Sequence, residues 1–439
     1  MSLFITGCGL LPKPRPSVLF LVVDALRSDH LGFAGYSRPT SPCLDALAEG
    51  GAAFTAATAQ APFTMTSVPS LLSGRYPGST FRWTSTESGG PEREWAVVIG
   101  EGVGLLPSLL GRRGWATGAF VTNPVVSGQI LGIRDQFDHF DDRLKDRWTL
   151  DSAERLNQMV QEWVTSVGDT PWFCYLHYMD VHDPYYPPVE FATPFTELYH
   201  AFPEPSMAWM KDRLAQGGPT YEELGHLIAM YDGEIAYLDH QICALLDSLS
   251  ALSRRHDLLV VVAADHGEEF LEHGGLGHGQ SLYQELLRCP LIFWWPGHVP
   301  AGRIVRSPVG NVDIVPTILD LLDIPRPAGI EGVSLLPALR GHVSSRPVFS
   351  QTQGFSIQRG RWKLWHQPGG KTTLFDLVAD SLETEDLASA FPETVSSLEE
   401  EMSDWHGGLR RPAMPPSLAG PVDIDPATMR LLRQLGYVQ

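Results

Sequence analysis

The side chain best placed to act as a nucleophile in this chain is the hydroxyl of Thr64. It lies in residues 61–77, where a loop is predicted to lead into a short helix that ends at Gly74. A helix start offers unpaired backbone N–H groups and the positive end of the helix dipole, so a hydroxyl there suits attack on a sulfate or phosphate ester. A threonine hydroxyl is a weak nucleophile unless a metal or a base activates it. Two alternatives stay open, because Thr64 could merely cap this helix and because Thr66 and Ser67 offer competing hydroxyls.

Two apolar runs end in side chains that could hold the activating metal. The run at 17–23 is followed by Asp24, and the run at 258–264 is followed by Asp265 and His266. Continuous apolar runs predict strands buried on both faces, and groups at the carboxyl ends of such strands lie where open α/β sheets bind ligands. The alternative is that the two carboxylates cap neighbouring helices. The mixed oxygen and nitrogen set suits Zn²⁺ or Mn²⁺, and the predicted metal ligands are Asp24, Thr64, Asp265 and His266.

The elements that must position these groups alternate between strand and helix patterns. Because the chain has 439 residues and 43% hydrophobic content, this alternation favours one α/β unit plus an appendage. Strands are predicted at 17–23, 115–122, 172–178, 258–264 and 291–295, and helices at 42–49, 65–73, 101–112, 151–166, 221–249 and 313–322. Beyond a segment rich in Pro and Gly, short antiparallel strands are predicted at 347–350, 356–358, 362–365 and 372–375, with helices at 392–404 and 426–435.

Short segments along nearly the whole chain follow the order found in one enzyme family. They stand at 24–32, 35–36, 40–48, 70–77, 177–185, 231–235, 265–268, 288–292 and 435–438. One such segment would be weak evidence, but this many in one order resembles the sulfatase family of the alkaline phosphatase superfamily. The resemblance implies an α/β fold, with an alkaline-phosphatase-like mixed, mostly parallel sheet flanked by helices and a small C-terminal α+β subdomain that carries a short antiparallel sheet. The predicted division is a leader or linker at 1–16, a sulfatase-like catalytic domain at 17–324, a linker at 325–345 and a C-terminal subdomain packed on the catalytic domain at 346–439.

The residue at the nucleophile position departs from the family pattern. Sulfatases usually carry a Cys or Ser there that is oxidised to formylglycine, with Pro two positions later and Arg four positions later. This chain has Thr64 at that position, with Thr66 and Val68 in place of the Pro and Arg. Threonine cannot yield the formylglycine aldehyde. The resemblance therefore implies a threonine-nucleophile branch, which looks like the phosphodiesterase, phosphonate monoester hydrolase and phosphoglycerol or phosphoethanolamine transferase relatives.

The predicted metal differs from that of many relatives. Calcium sulfatases tend to offer two consecutive acids after the first strand, whereas the corresponding pair here is Val23 and Asp24. Because Ca²⁺ takes six to eight oxygen ligands, the loss of one carboxylate leaves it poorly coordinated. A divalent transition metal, Zn²⁺ or Mn²⁺ in preference to Ca²⁺, is therefore predicted.

Two histidines are predicted to contact the ester. His182 lies in a His-Asp-Pro turn just past a predicted strand, where the resemblance places a substrate-contacting histidine, although packing would also explain it. His278 stands where many sulfatases have a lysine that touches the ester, and the alternative is an exposed loop histidine. The predicted catalytic residues are Thr64, His182 and His278. Roles stay open for His177 and Asp180 as ligands of a second metal and for His273 beside the site, and Arg27 and Asp29 are predicted to form a salt-bridged turn.

These groups predict a metal-dependent hydrolase that cleaves a sulfate or a phosphate or phosphonate ester through a threonine nucleophile. Val68 and His278 replace the family's Arg and Lys, so a monoanionic ester fits better than a dianionic phosphate monoester. Formylglycine releases sulfate by hemiacetal collapse, whereas a threonine intermediate needs a second displacement, which favours phosphorus. The alternatives are a transferase of envelope phosphoryl head-groups and a non-catalytic binding pseudoenzyme. The ester could belong to a small molecule, a glycan or a lipid.

Charge and cysteine content bear on partners and location. A formal net charge of −19 argues against nucleic acid as the main partner. The five cysteines have no metal-type spacing, and Cys174 and Cys289 fall in apolar runs, which predicts buried free thiols.

Residues 3–8 look like the end of a bacterial lipoprotein signal that would place a lipid on Cys8. This stretch lacks a basic start and a full apolar region, so a signal would need residues upstream. No other segment approaches the ~20 apolar residues of a membrane span. The predicted location is the cell envelope or periplasm with a membrane tether through Cys8, or the cytoplasm if the match is chance.

Overall fold

The computed structural model describes residues 15–86, 94–100, 102–127, 130–145, 152–198, 206–252, 257–342, 345–410 and 412. The strands of the first part are β1 (Ser17–Val23), β2 (Ala52–Thr58), β3 (Phe81–Thr86), β4 (Glu94–Ile99), β5 (Ala116–Val121), β6 (His139–Asp141), β7 (Trp172–Tyr178), β8 (Leu258–Ala264), β9 (Glu269–Phe270), β10 (Leu276–Gly277), β11 (Arg288–Trp294), β12 (Arg303–Val305) and β13 (Val309–Gly310). The last strands are β14 (Val348–Gln351), β15 (Phe355–Arg359), β16 (Trp362–His366) and β17 (Thr372–Asp376). The helices are α1 (Pro42–Gly50), α2 (Thr64–Ser73), α3 (Pro77–Thr80), α4 (Leu106–Gly111), α5 (Ser152–Val167), α6 (Val189–Ala192), α7 (Met207–Ala215), α8 (Tyr221–Leu252), α9 (Gln284–Leu287), α10 (Ile314–Leu321), α11 (Leu336–Leu339) and α12 (Pro392–Gly408).

The central sheet places the two predicted metal-binding strands side by side. Its order is β12-β2-β11-β8-β1-β7-β5-β6, with β13 also paired to β2. Most pairs are parallel, and β11 runs antiparallel to both β8 and β2. Strands β1 and β7 are buried along their whole length because apolar side chains point to both faces, which is the pattern of a central parallel strand. The mixed, mostly parallel sheet confirms the predicted fold class.

Helices cover both faces of this sheet. Helices α2, α4 and α10 pack on one face, where Phe20 of β1 points, and α1, α5 and α8 pack on the other, where Leu19 and Leu21 point. Each large side chain buried in this way contributes roughly 1.5–3 kcal/mol relative to exposure. The two cores hold the carboxyl ends of β1 and β8 at one edge of the sheet.

A second, smaller sheet follows the central one in sequence. Strands β14 to β17 form an antiparallel sheet in chain order, and Leu398 and Met402 of α12 pack on it. Tyr76 and Val312 from the first part of the chain join the same core, so the small sheet packs directly on the larger unit. The exact domain boundaries stay a prediction.

Some elements differ from the pattern expected from sequence. Strand β2 was not predicted, because its Ala-rich sequence carries little β-propensity and gains its place by pairing with β11. Helix α11 lies inside the segment that was predicted as a linker. The predicted helix at 426–435, the segment at 435–438 and Cys8 lie outside the described residues. Among the helices that the structure describes, none is both long enough and apolar enough to cross a bilayer.

The cysteines are only partly as expected. Cys174 and Cys289 are buried free thiols, as predicted. Cys43 and Cys243 form a disulfide that joins α1 to α8 across 200 positions of sequence. That pairing was not predicted, because nothing in the local pattern around either cysteine indicates which distant element it meets.

Candidate active site

The site begins where β1 and β8 end. Val23 pairs with Ala264 in the parallel register, so the next residues, Asp24 and Asp265, leave neighbouring strand ends together. Both carboxylates are fully buried. The sheet order thus brings the two strand-end acids to one point, as the sequence predicts.

The four predicted metal ligands converge on one another. His266 Nε2 lies 3.5 Å from Asp24 Oδ1 and 3.5 Å from Asp265 Oδ2. The same nitrogen lies 3.0 Å from Thr64 Oγ1. The other ring nitrogen, Nδ1, donates to the Gly267 carbonyl at 2.9 Å, which leaves Nε2 as the acceptor that faces the cluster.

The residues present fit a divalent metal. Among the described residues, Asp24 Oδ1 and Asp265 Oδ2 are buried and have no hydrogen-bond partner. A buried carboxylate oxygen without a partner is costly, and a cation between the two would satisfy both. Burial also lowers the pKa of His266 and so favours the neutral ring that binds metals. Two carboxylate oxygens, an imidazole nitrogen and a hydroxyl form a donor set that transition metals accept.

Two side chains that the sequence did not single out, together with His177, hold Asp24 in place. Asp24 Oδ2 accepts a hydrogen bond from Asn123 Nδ2 and lies 3.2 Å from His177 Nε2. The Tyr175 hydroxyl lies 2.7 Å from His177 Nδ1. Burial alone would raise the pKa of Asp24, but the hydrogen bond with His177 and the nearby histidine charges hold it well below its usual range. Asn123 and Tyr175 could have been suspected from the strand pattern. Asn123 follows β5 and Tyr175 lies in β7, and these are the next two strands beside β1 in the sheet.

The second-metal hypothesis is only half supported. His177 lies against the cluster, where its ligand atom and those of Asp24 and Asp265 fall within 4.8 Å of one another. The Asp180 carboxylate instead accepts from Ser152 Oγ at 2.7 Å and from the Ala153 N–H at 3.1 Å. It therefore contacts the start of α5, and Asp180 is not part of the group around His177 whose ligand atoms lie within 4.8 Å of one another.

Thr64 is the only one of the three candidate hydroxyls that faces His266. It is the first residue of α2, after the N-cap Phe63, so the capping alternative does not describe it. Thr66 Oγ1 donates to the Phe63 carbonyl at 3.0 Å, and Ser67 Oγ donates to the Asp265 carbonyl at 2.5 Å. Both competing hydroxyls thus donate hydrogen bonds to backbone carbonyls.

The two predicted catalytic histidines stand together beside the cluster. The ring centroid of His278 lies 4.3 Å from that of His266 and 5.1 Å from that of His182. His278 Nδ1 lies 3.0 Å from Glu268 Oε1, and the Tyr185 hydroxyl donates to Glu268 Oε2 at 3.2 Å. Glu268 was not predicted as a site residue, although it stands in the 265–268 segment.

Burial controls the charge of these groups. Burial raises the pKa of Glu268 to about 7, and burial with the charge of His182 lowers the pKa of His278 to about 4. Burial would lower the pKa of His182, but the Asp24 and Glu268 carboxylates raise it above its ordinary value. Of His182, His266 and His278, His182 therefore carries positive charge most readily.

The remaining candidates have structural partners. Arg27 Nη2 lies 2.8 Å from Asp29 Oδ2, which confirms the salt-bridged turn. His273 Nδ1 lies 2.7 Å from Glu285 Oε1, with Glu269 close by. The carboxylate of Glu269 accepts from the backbone N–H groups of residues 273 and 275 and from Gln280, so it is satisfied without a cation.

Comparison with known proteins agrees with this fold. Choline-sulfatase of Rhizobium meliloti (strain 1021) is 27% identical over 241 residues, which cover 50% of this chain and 46% of that protein. N-acetylgalactosamine-6-sulfatase of Sus scrofa is 27% identical over 382 residues, which cover 80% of this chain and 71% of that protein. The crystal structure of phosphonate monoester hydrolase of Agrobacterium radiobacter matches with a TM-score of 0.74 at 20% identity, over 90% of this chain and 96% of that one.

Family models give the assignment. This chain spans less than half the length of several curated relatives that it matches. A model described as N-sulphoglucosamine sulphohydrolase, C-terminal, matches residues 272–406. The sulfatase model matches residues 16–324, which is well over half of the chain, and the chain therefore belongs to the sulfatase family.

Proposed function

We propose that this chain is a metal-dependent ester hydrolase with Thr64 as its nucleophile. The observation that carries the proposal is the position of Thr64 Oγ1, at the start of α2 and 3.0 Å from His266 Nε2, beside the two unpartnered carboxylate oxygens. A divalent metal, which the family requires, would be held by Asp24, Asp265 and His266, lower the pKa of the hydroxyl and withdraw charge from the ester.

The residues of the chain divide the remaining work. Thr64 Oγ1 attacks the sulfur or phosphorus in line, the bond to the alcohol oxygen breaks, and the alcohol leaves. His182, whose raised pKa favours the charged form, stabilises the negative oxygens of the ester. His278, held at 3.0 Å by Glu268, would move a proton to or from the leaving oxygen. Water then cleaves the threonine ester, or an acceptor alcohol takes the group.

Phosphodiesters or phosphonate monoesters are the proposed substrates. The position of the usual family arginine is Val68, which is fully buried in the core and brings no charge to the ester. A site with few fixed cations favours a monoanion, and a threonine ester must be cleaved by a second displacement. Sulfate esters are the second candidate, because relatives at 27% identity are named as sulfatases. The alcohol part is proposed to come from a small molecule or from a glycan or lipid.

Two other functions give different results in the same tests. A transferase of phosphoryl head-groups would pass the group to an added alcohol faster than to water. A binding pseudoenzyme would not turn over any ester, and the convergence of all four predicted ligands argues against it.

The direct test replaces Thr64, with a matched control two residues away. Thr64→Ala should lower kcat by at least ~10²-fold, as expected for the loss of a covalent nucleophile. Thr66→Ala removes the same atoms from a residue whose hydroxyl donates to the Phe63 carbonyl. It should lower kcat much less. Wild-type protein trapped with a slow ester should show the added mass on the peptide that contains Thr64. Full activity in Thr64→Ala, or a label on Thr66, would contradict the assignment.

The choice between phosphorus and sulfur needs a substrate panel. Aryl sulfate, aryl phosphodiester and aryl phosphonate monoester with the same leaving group should be compared by kcat/KM. We expect the two phosphorus esters to exceed the sulfate. A higher kcat/KM for the sulfate would transfer the proposal to sulfate esters without changing the role of Thr64.

We also propose a location in the cell envelope. The disulfide between Cys43 and Cys243 supports it, because disulfides persist mainly in oxidising compartments. A lipid on Cys8 would tether the protein to the membrane there.

A further inference from the structure

A cavity of about 440 Å³ lies between the central sheet and the small C-terminal sheet. Thr55 and Arg288 contribute to it from the central sheet, and Gln358 and Ser381 contribute from the C-terminal part. None of the residues of the metal cluster lines it. Its volume lies in the range of sites that bind small molecules, so it can hold a ligand independently of the proposed catalytic centre.

The charge of this cavity is opposite to that of the chain. The protein has 51 acidic and 32 basic residues, yet the described lining includes Arg288 and Arg306 and no Asp or Glu. Within the part of the chain that the structure describes, neither guanidinium forms an ion pair with a carboxylate. Arg288 also acts on the nearby Asp29 carboxylate, whose pKa its charge helps to lower. In a chain with a net charge of −19, two arginines without a direct carboxylate contact in one cavity attract an anion.

The polar side chains of the cavity wall supply hydrogen-bond donors. Arg288 Nε donates to the Thr55 carbonyl at 2.7 Å, which fixes the guanidinium at the cavity wall. Gln284 Nε2 is buried and has no hydrogen-bond partner among the described residues. The Gln358 side chain is more than nine-tenths buried, and its Oε1 is already used by Thr58 Oγ1 at 3.5 Å. A buried donor without an acceptor is costly, and an acceptor oxygen of a bound molecule would satisfy Gln284 Nε2.

We infer that this cavity binds a small organic oxyanion, a sugar-sized molecule that carries a sulfate, phosphate or carboxylate group. Arginine guanidinium groups match such groups with paired hydrogen bonds. Phe33 and Leu377 form an apolar part of the wall. The ring of an organic ligand would pack against it, whereas an inorganic ion would leave it uncovered. The volume also exceeds what an inorganic sulfate needs. The ligand therefore bridges the central and C-terminal sheets.

Arg306 is the residue to change. It is exposed and makes no described side-chain contact, so Arg306→Glu should fold normally. Arg340→Glu is the matched control, because Arg340 is also an exposed arginine without a described side-chain partner and does not line the cavity. Both changes are made in Thr64→Ala, so that no probe is turned over.

The probes are glucose 6-sulfate, glucose 6-phosphate and glucuronate, with glucose and inorganic sulfate as comparisons, measured by isothermal titration calorimetry. We expect at least one organic anion to bind, with affinity reduced roughly tenfold or more by Arg306→Glu and unchanged by Arg340→Glu. A probe that also enters the catalytic cluster shows a second binding event that Arg306→Glu does not affect. In protein with Thr64 intact, Arg306→Glu should leave turnover of a small aryl ester unchanged, which separates this site from the proposed function.

Three results would overturn the inference. One is that no organic anion binds, or that each binds equally to the Arg306→Glu and Arg340→Glu proteins. Another is that glucose binds as tightly as its charged derivatives, because the arginines would then have no role. The third is that inorganic sulfate binds as tightly as glucose 6-sulfate with the same dependence on Arg306, which would reduce the site to one for a free ion.

Discussion

Replacing Lys363 by methionine should destabilise the protein by about 3–5 kcal/mol, the cost typical of breaking a buried ion pair from one side. Lys363 is 1% exposed, and its Nζ lies 2.6 Å from Glu383 Oε1 and donates to the Leu282 carbonyl at 2.5 Å. Glu383 is 2% exposed, and its other oxygen accepts from the Gln284 N–H at 2.6 Å. Lys363→Met keeps the apolar stem but leaves the Glu383 carboxylate buried without its counter-charge.

The same pair connects the C-terminal sheet to the catalytic cluster. Through Leu282 and Gln284 it holds the segment that continues into α9. There the Glu285 and Leu286 carbonyls accept from Glu268 N at 3.1 Å and from Gly267 N at 2.8 Å, directly after His266. We therefore expect Lys363→Met to lose activity on heating at the temperature at which it unfolds, below that of the wild type.

The assay is equilibrium unfolding in urea, followed by tryptophan fluorescence, for Lys363→Met, Glu383→Gln and the double variant. Because the double variant removes both charges, it should be clearly less destabilised than the sum of the two single variants. The control is Arg359→Met, which removes an exposed ion pair. Arg359 is 50% exposed and its partner Glu401 is 26% exposed. Its loss should lower the free energy of unfolding by about 1 kcal/mol or less. Additive single effects, or a loss for Lys363→Met no larger than for Arg359→Met, would refute the reasoning.

Three further predictions follow from the site and the cysteines. Purified protein should contain about one Zn²⁺ or Mn²⁺ per chain by elemental mass spectrometry, because the cluster offers one set of transition-metal ligands. The variants Asp265→Asn and His266→Ala should lose this metal. Stoichiometric metal in both variants would rule out these ligands. In denatured protein, Cys43 and Cys243 should resist alkylation until a reductant is added, and labelling without reductant would show that the disulfide is absent from the isolated protein. Protein expressed from its natural gene should carry a lipid on Cys8 and sediment with membranes, whereas an unmodified Cys8 peptide would contradict the envelope anchor.

The frame of the site is predictable from local sequence patterns. The apolar runs before Asp24 and Asp265 can be buried only as central strands, and the carboxyl ends of adjacent parallel strands meet at one edge of a sheet. The position of Thr64 follows from local signals, since a loop, a helix and a terminal glycine are all encoded within a few residues. For these groups, strand burial and helix start are short-range properties, and the sequence pattern is enough to predict them.

Which distant side chains meet depends on the folded arrangement of the strands. His177 reaches Asp24 because β7 pairs with β1, and Glu268 meets His278 because the chain folds back after β8. Cavity residues such as Arg306 come together with the C-terminal part only when the small sheet packs on the large one. These contacts depend on strand order and on the docking of two sheets. Strand order and sheet docking depend on how the whole chain buries its apolar surface. The local sequence around one residue therefore does not predict which distant residue it contacts.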